Sequence, residues 1–120
     1  MGGKHMIERF GQGLRYHDVV SWNGLLFLSG LTDTDAGDTM RQQAEGVLKK
    51  ADAMLQAHGS DRDHILRAEV FVRDQADVAA FNEVWDQWIN RDTAPARYLA
   101  VSKLGREPIL VEVVLTAAVR

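Results

Sequence analysis

Apolar residues in the first third of the chain predict a β-hairpin. The apolar-rich run 19–22 precedes Asn23-Gly24, and a second apolar run covers residues 25–28. Asn and Gly both accept a positive φ, so this dipeptide between two apolar runs is typical of a two-residue hairpin turn. Ser29-Gly30 then ends the second strand, and a polar loop is expected over residues 32–37.

A long amphipathic helix is predicted next. Thr39 with Gln42 three residues later matches a capping box, which satisfies free N–H groups at a helix start. Gly59 stands where a helix of this length would end in the left-handed conformation. Between these two points the apolar residues recur at helical spacing: Ala44, Val47, Leu48, Ala51, Met54 and Leu55.

The second half of the chain predicts a strand, a helix and two more strands. Residues 65–72 are rich in β-branched and aromatic side chains, which favours a strand. Asp74 is the expected cap of the second helix. Strands are predicted at 96–102 and 110–119, separated by a turn at 104–108. The apolar stripe of the second helix consists of Val78, Phe81, Trp85, Trp88 and Ile89.

This order, β-β-α-β-α-β-β, predicts a single α+β domain with one mixed sheet. Right-handed crossovers would place both helices on the same face of that sheet. The opposite face would then need another cover, and a partner subunit is the simplest candidate.

The amino-acid composition is typical of a globular domain and argues against several other classes of protein. The 120 residues carry a net charge of −3, with 46% hydrophobic and 26% charged residues, as in an ordinary globular domain. No cysteine is present, so disulfides and thiolate chemistry are excluded. The acidic balance argues against nucleic-acid binding, which needs a basic surface. No apolar run is long enough to span a membrane, and we expect a cytoplasmic protein.

Residues 1–5 differ in composition from the rest of the chain. We expect them to be a cloning remnant or a flexible tail, with Met6 as the natural start and the folded domain covering residues 6–120.

Glu112 is the most unusual residue of the predicted strands, because it interrupts an otherwise apolar segment. Arg97, at the start of the preceding strand, is its obvious partner, and a guanidinium can bind a carboxylate through two hydrogen bonds. The alternatives are an edge strand with Glu112 facing water, and an Arg97 whose alkyl stem covers the sheet. Gly30 either allows a close backbone approach to a ligand or simply ends its strand.

Other patterns carry less chemistry. The four histidines are scattered, and no pair has the helical spacing of a metal site, so we expect no metal. Trp85 and Trp88 are expected to be core or interface anchors.

Several segments together resemble the Rid family, the YjgF-like reactive intermediate deaminases. The likeness extends from about residue 16 to residue 119 and is most specific at Pro95-Ala96-Arg97, followed fifteen residues after the arginine by Glu112. The other matching segments are Tyr16, Leu28-Ser29-Gly30, Val70-Phe71-Val72 with Asp74, and Phe81-Asn82.

The resemblance implies a chorismate-mutase-like fold, a homotrimer with clefts between subunits, and hydrolysis of small 2-imino acids without a metal or organic cofactor. Arg97 would bind the substrate carboxylate and Glu112 would position the attacking water. The implied substrate-binding residues are Tyr16, Ser29, Gly30, Asn82 and, through its backbone, Leu99.

Three departures from the family pattern place the chain nearer the YoaB-like branch. Leu99 stands where many members have cysteine, Leu31-Thr32-Asp33 replaces a Gln-apolar-Pro segment, and Leu104-Gly105 replaces a Leu-Pro turn before the last strand. Two alternatives to the imine hydrolase stay open. One is a trimeric module that binds small carboxylates without turnover, and the other is an endoribonuclease, which the acidic charge disfavours.

Overall fold

A computed structural model describes residues 6–120, and the expectation for residues 1–5 lies outside this range. One sheet and two helices form the domain. The strands are β1 (Glu8–Gln12), β2 (His17–Trp22), β3 (Leu25–Leu28), β4 (Ile65–Val72), β5 (Ala96–Val101) and β6 (Val111–Ala118). The helices are α1 (Met40–Ala57) and α2 (Val78–Trp88). Neither helix is both long enough and apolar enough to cross a membrane.

The strand order in the sheet is β1-β2-β3-β6-β4-β5. β4 and β5 run parallel, and all other neighbouring strands run antiparallel. The C-terminal strand β6 therefore lies in the centre, between the hairpin and the β4-α2-β5 crossover. The predicted mixed α+β sheet is confirmed.

Strand β1 is an addition to the predicted order. It pairs with β2 along one edge of the sheet, and all five of its residues are exposed. A strand with no buried face shows no alternation of apolar and polar residues, so the sequence pattern could not indicate it.

The predicted hairpin turn and the predicted ends of α1 are confirmed. Asn23 and Gly24 have φ of 55° and 81°, which matches a hairpin turn with two positive φ angles. Thr39 and Gln42 form both halves of the capping box of α1, and Gly59 follows the helix with a φ of 81°. The prediction for Asp74 is wrong in detail. Asp74 precedes a short 3-10 turn, its side chain makes no capping hydrogen bond, and α2 begins only at Val78.

Gln43 ties the first helix to the loop before β6. It is a buried amide whose Nε2 donates to Gly37 O at 2.9 Å and Pro108 O at 2.8 Å, and whose Oε1 accepts from Leu110 N at 2.9 Å. Because its polar groups are paired, this amide is compatible with burial and fixes where β6 enters the sheet.

Both helices pack on one face of the sheet. Along β6 the residues at odd positions are buried and those at even positions are half-buried, so the two faces differ along this strand. The face away from the helices has several partly exposed apolar residues: Val20, Phe27, Phe71, Tyr98 and Val114. We call this surface the open face.

Candidate functional site

Glu112 lies on the open face of the sheet. It pairs with Phe71 of β4, which lies opposite Ala100 of β5. Its neighbours Val111 and Val113 point to the opposite face and are fully buried. The carboxylate is half-buried, so it neither enters the core nor extends freely into solvent.

Gly30 lies directly against the side chain of Glu112, which leaves no room for a side chain at position 30. A Cβ atom added to Gly30 would lie 1.9 Å from Glu112 Oε2, far inside contact distance. Two hydrogen bonds hold the chain there: Leu31 N donates to Val113 O at 2.8 Å, and Val113 N donates to Leu31 O at 3.0 Å. The close approach expected at this glycine is therefore to a carboxylate of the same chain.

Tyr16 and Ser29 complete a hollow around this carboxylate. The hollow has a volume of ≈ 340 Å³ and is lined by Tyr16, Ser29, Gly30 and Glu112. Ser29 Oγ donates to His17 O at 2.7 Å, so its lone pairs remain available to accept a hydrogen bond. Tyr16 is 62% exposed and forms the outer wall. Four of the seven predicted site residues therefore lie together, and we call them the acid half-site.

Arg97 lies on the other face of the sheet. Its partner in the register is Ala68, which is fully buried beneath the helices. Arg97 Nη2 donates to Asn82 Oδ1 at 2.9 Å. The guanidinium carbon lies 5.1 Å from the ring centre of Trp85 and 5.9 Å from that of Phe81. We call Arg97, Asn82, Trp85 and Phe81 the guanidinium half-site.

The guanidinium of Arg97 has an unused donor. Its Nη1 is buried and has no hydrogen-bond partner within residues 6–120. Burial away from water lowers the pKa of Arg97 from its ordinary range, and the negative charge of Asp86 opposes this shift. Arginine nonetheless keeps its proton at neutral pH. An anion that accepts from Nη1 would satisfy a charged donor, which is otherwise unfavourable to bury.

A single chain does not bring Arg97 and Glu112 together. The two residues project from opposite faces, and their strands are separated by β4. With strands spaced ~4.8 Å apart and a rise of ~3.3 Å per residue, their backbones are offset by about 10 Å in each direction. Direct pairing of these two residues, as the sequence suggested, therefore does not occur within one chain.

Leu99 contributes its side chain to the core, where it packs against buried residues. Ser102 N donates to Val72 O, so the even-numbered residues of β5 direct their N–H groups toward β4. By alternation the N–H and C=O of Leu99 point to the free edge of the sheet. A backbone role for Leu99 is thus compatible with the geometry, whatever its side chain.

The contact between Trp85 and Arg97 was not predicted from the sequence. Trp85 was expected in the core or at an interface, and it is 6% exposed, but its ring also packs against the guanidinium. The available signal was that Arg97 shares strand alternation with Leu99 and therefore faces the helices. Trp88 instead packs against Arg62.

No group of three or more His, Cys, Asp or Glu side chains suited to a metal ion occurs in the described range 6–120.

Comparison with known proteins identifies the family. The family model described as Endoribonuclease L-PSP matches residues 6–119. The RutC family protein YoaB of Escherichia coli is 34% identical over 113 residues, covering 94% of this chain and 98% of the relative. A RutC family protein of Haemophilus ducreyi is 32% identical over 114 residues, covering 95% and 97%. The chain belongs to the YjgF, or Rid, family.

A solved structure of the YjgF family has the same fold over nearly all of its length. NMB1025 of Neisseria meningitidis, a member of the YjgF protein family, superposes with a TM-score of 0.94 at 38% identity and covers 98% of both chains. The resemblance drawn from the sequence is confirmed, including its similarity to YoaB-like members. Membership supports a deaminase role in general terms.

Proposed function

We propose that this protein hydrolyses small 2-imino acids, and the enamines that precede them, to 2-keto acids and ammonia. In this proposal Arg97 binds the substrate carboxylate and Glu112 positions the attacking water. The supporting observation is the division of the polar residues into an acid half-site and a guanidinium half-site on different surfaces of one chain. The two half-sites can face each other only when they come from two different copies of the chain.

The open face supports assembly from several copies. Phe27 and Tyr98 on this face are 43% and 41% exposed, and the Tyr98 ring packs edge to face against Phe71 of the same face. An apolar surface of this kind favours a covering partner. We propose a homotrimer, the assembly that the family resemblance implies. Each cleft would receive Glu112, Gly30, Ser29 and Tyr16 from one subunit and Arg97 with Asn82 from its neighbour.

The proposed reaction needs only positioned groups and water. The substrate carboxylate accepts from the Arg97 guanidinium, including its unpartnered Nη1. A water molecule on Glu112 attacks C2 of the protonated imine, its oxygen bonds to carbon, and its proton passes to the carboxylate. Glu112 returns that proton to the amine nitrogen and accepts the hydroxyl proton as the C–N bond breaks and the C=O bond forms. The keto acid leaves, and the second proton passes from Glu112 to ammonia, which leaves as ammonium. Fixing the substrate and the water can supply much of the rate.

The test is hydrolysis of 2-iminopropanoate and 2-iminobutanoate generated in situ, followed by the appearance of keto acid above the buffer rate. We expect Arg97→Lys and Glu112→Gln each to lower kcat/KM by about 10²-fold or more, since each removes a positioned group. Matched controls are Arg41→Lys and Glu45→Gln, because both residues lie exposed on α1. Equal rates for wild type, Arg97→Lys and buffer would refute the proposal for these substrates.

The same preparations separate the alternatives. Binding of 2-ketobutyrate that survives Glu112→Ala, without turnover by wild type, would indicate a carboxylate-binding module. RNA cleavage that depends on Arg97 or Glu112 would indicate the endoribonuclease named by the family model. Light scattering should give three times 13.4 kDa. A monomer would contradict the composite cleft. A cytoplasmic location remains part of the proposal.

A further inference from the structure

We propose that Trp85 is a positioning residue that fixes the plane of the Arg97 guanidinium for carboxylate binding. This role rests on the proposed function only for the identity of the bound anion, the substrate carboxylate. Trp85 contacts Arg97 and not the reacting atoms.

The rings of Trp85 and Phe81 come from one side of α2, four residues apart, and contact the same guanidinium. Phe81 is fully buried and Trp85 is 6% exposed, so both rings are held by the core. Their centroids lie 6.1 Å apart with an interplanar angle of 32°. Because these rings cannot move freely, they offer a rigid surface to a flexible arginine side chain.

Asn82 supplies a second constraint from the same turn of the helix. Its Oδ1 accepts from Nη2 at 2.9 Å, while the Trp85 ring centre lies 5.1 Å from Cζ. A hydrogen bond to one amino group and a ring near the guanidinium together restrict its rotation. Nη1 is left buried and unpartnered. The arginine is thus oriented before any ligand arrives, and a ligand loses less entropy on binding.

The aromatic character of Trp85 can be separated from its bulk by two substitutions. Trp85→Phe and Trp85→Met both shrink the side chain, Met by about one methylene group more, but only Phe keeps a π face toward the cation. Trp88 provides the control pair. It is three residues away on α2 and packs against a different arginine, with Arg62 Cζ 4.9 Å from its ring centre. Its ring also lies 5.5 Å from the Trp85 ring, so Trp88→Met measures the effect of loosening Trp85 without removing it.

The first measurement does not depend on turnover. The side-chain Nε–H resonance of Arg97, assigned by its loss in Arg97→Lys, should move in Trp85→Met because the aromatic ring current is gone. It should stay closer to wild type in Trp85→Phe, and it should move less in Trp88→Met than in Trp85→Met. The Kd for 2-ketobutyrate should rise about tenfold in Trp85→Met, because the loosened guanidinium must then be ordered when the ligand binds. Trp85→Phe should stay within about threefold of wild type.

The second measurement uses turnover of 2-iminobutanoate. Trp85→Met should raise KM about tenfold and change kcat by less than about threefold, a split expected from lost carboxylate binding. Binding of 2-ketobutyramide, which lacks the charge, should be equal in the two Trp85 variants.

The outcomes keep the two proposals distinct. An inactive wild type would refute the proposed function, while the resonance and the Kd for 2-ketobutyrate would still decide the role of Trp85. Equal 2-ketobutyrate Kd values for Trp85→Phe and Trp85→Met would overturn the positioning role. So would an equal weakening in Trp88→Met.

Discussion

Gly30 offers a direct test of how closely the carboxylate of Glu112 must be placed. In Gly30→Ala the new Cβ would lie 1.9 Å from Oε2, 2.8 Å from Cδ and 3.1 Å from Cγ of Glu112. The backbone of Gly30 is outside the left-handed region, so alanine meets no conformational strain there. The whole effect must come from the side chain that it displaces.

The carboxylate must retreat by more than 1 Å to reach ordinary contact distance. Turning a side chain away from its preferred rotamer costs about 0.5–1.5 kcal/mol. Replacing glycine by alanine returns about 0.4–1 kcal/mol by restricting the unfolded chain. The two effects nearly cancel, so the free energy of unfolding should change by less than about 1 kcal/mol. A shift of about 1 Å in a positioned group can lower the rate about 10²-fold. Activity should therefore fall far more than stability.

The assay combines urea unfolding with kcat/KM for 2-iminobutanoate. Gly105→Ala is the matched control, because a Cβ there meets no atom within 4 Å. In a Glu112→Ala background the steric conflict is absent, so Gly30→Ala should become neutral or stabilising. An unchanged kcat/KM in Gly30→Ala would refute the reasoning, as would the same change in stability in both backgrounds.

Two further predictions concern stability. Gln43→Ala should lower the free energy of unfolding by about 2–4 kcal/mol, because it leaves buried backbone groups unpaired. The control Gln87→Ala removes an exposed amide and should have little effect. Similar urea midpoints for the two variants would contradict the structural role of the Gln43 amide. The hydrogen bond from His64, 2.7 Å from the carboxylate, lowers the pKa of Asp61 from its usual 3.8. The stabilisation from this hydrogen bond is therefore present above the pKa that Asp61 has in the unfolded chain. It is lost as the pH falls through the lower pKa of Asp61 in the folded protein. Carboxyl NMR titration should show that His64→Ala raises this pKa, and an unchanged titration would contradict the pairing.

Features set by neighbouring residues could be predicted from the sequence. The hairpin turn at Asn23-Gly24 and the capping box at Thr39 depend on side chains within a few positions, and both are present. Strand β1 could not be predicted, because its pairing is with β2 and none of its residues is buried. Asp74 was misassigned because a 3-10 turn separates it from α2, and the sequence alone does not reveal that delay.

The candidate site was predictable in its residue types but not in its arrangement. Glu112 was conspicuous as a lone acid, and Gly30 as a site of close approach, yet their contact depends on how residues 29–31 lie against β6. The contact of Arg97 with Trp85 depends on the crossover that lays α2 over β5. Such contacts are set by tertiary topology, which periodicity does not encode.

Because Arg97 and Glu112 lie on opposite faces of one sheet, variants altered at one of the two positions should complement variants altered at the other. In the proposed trimer, a subunit with Arg97→Lys still contributes an intact Glu112 to one cleft. A subunit with Glu112→Gln still contributes an intact Arg97 to another. Co-refolding inactive Arg97→Lys with inactive Glu112→Gln should then rescue catalysis. Random mixing of equal amounts would restore about a quarter of the clefts.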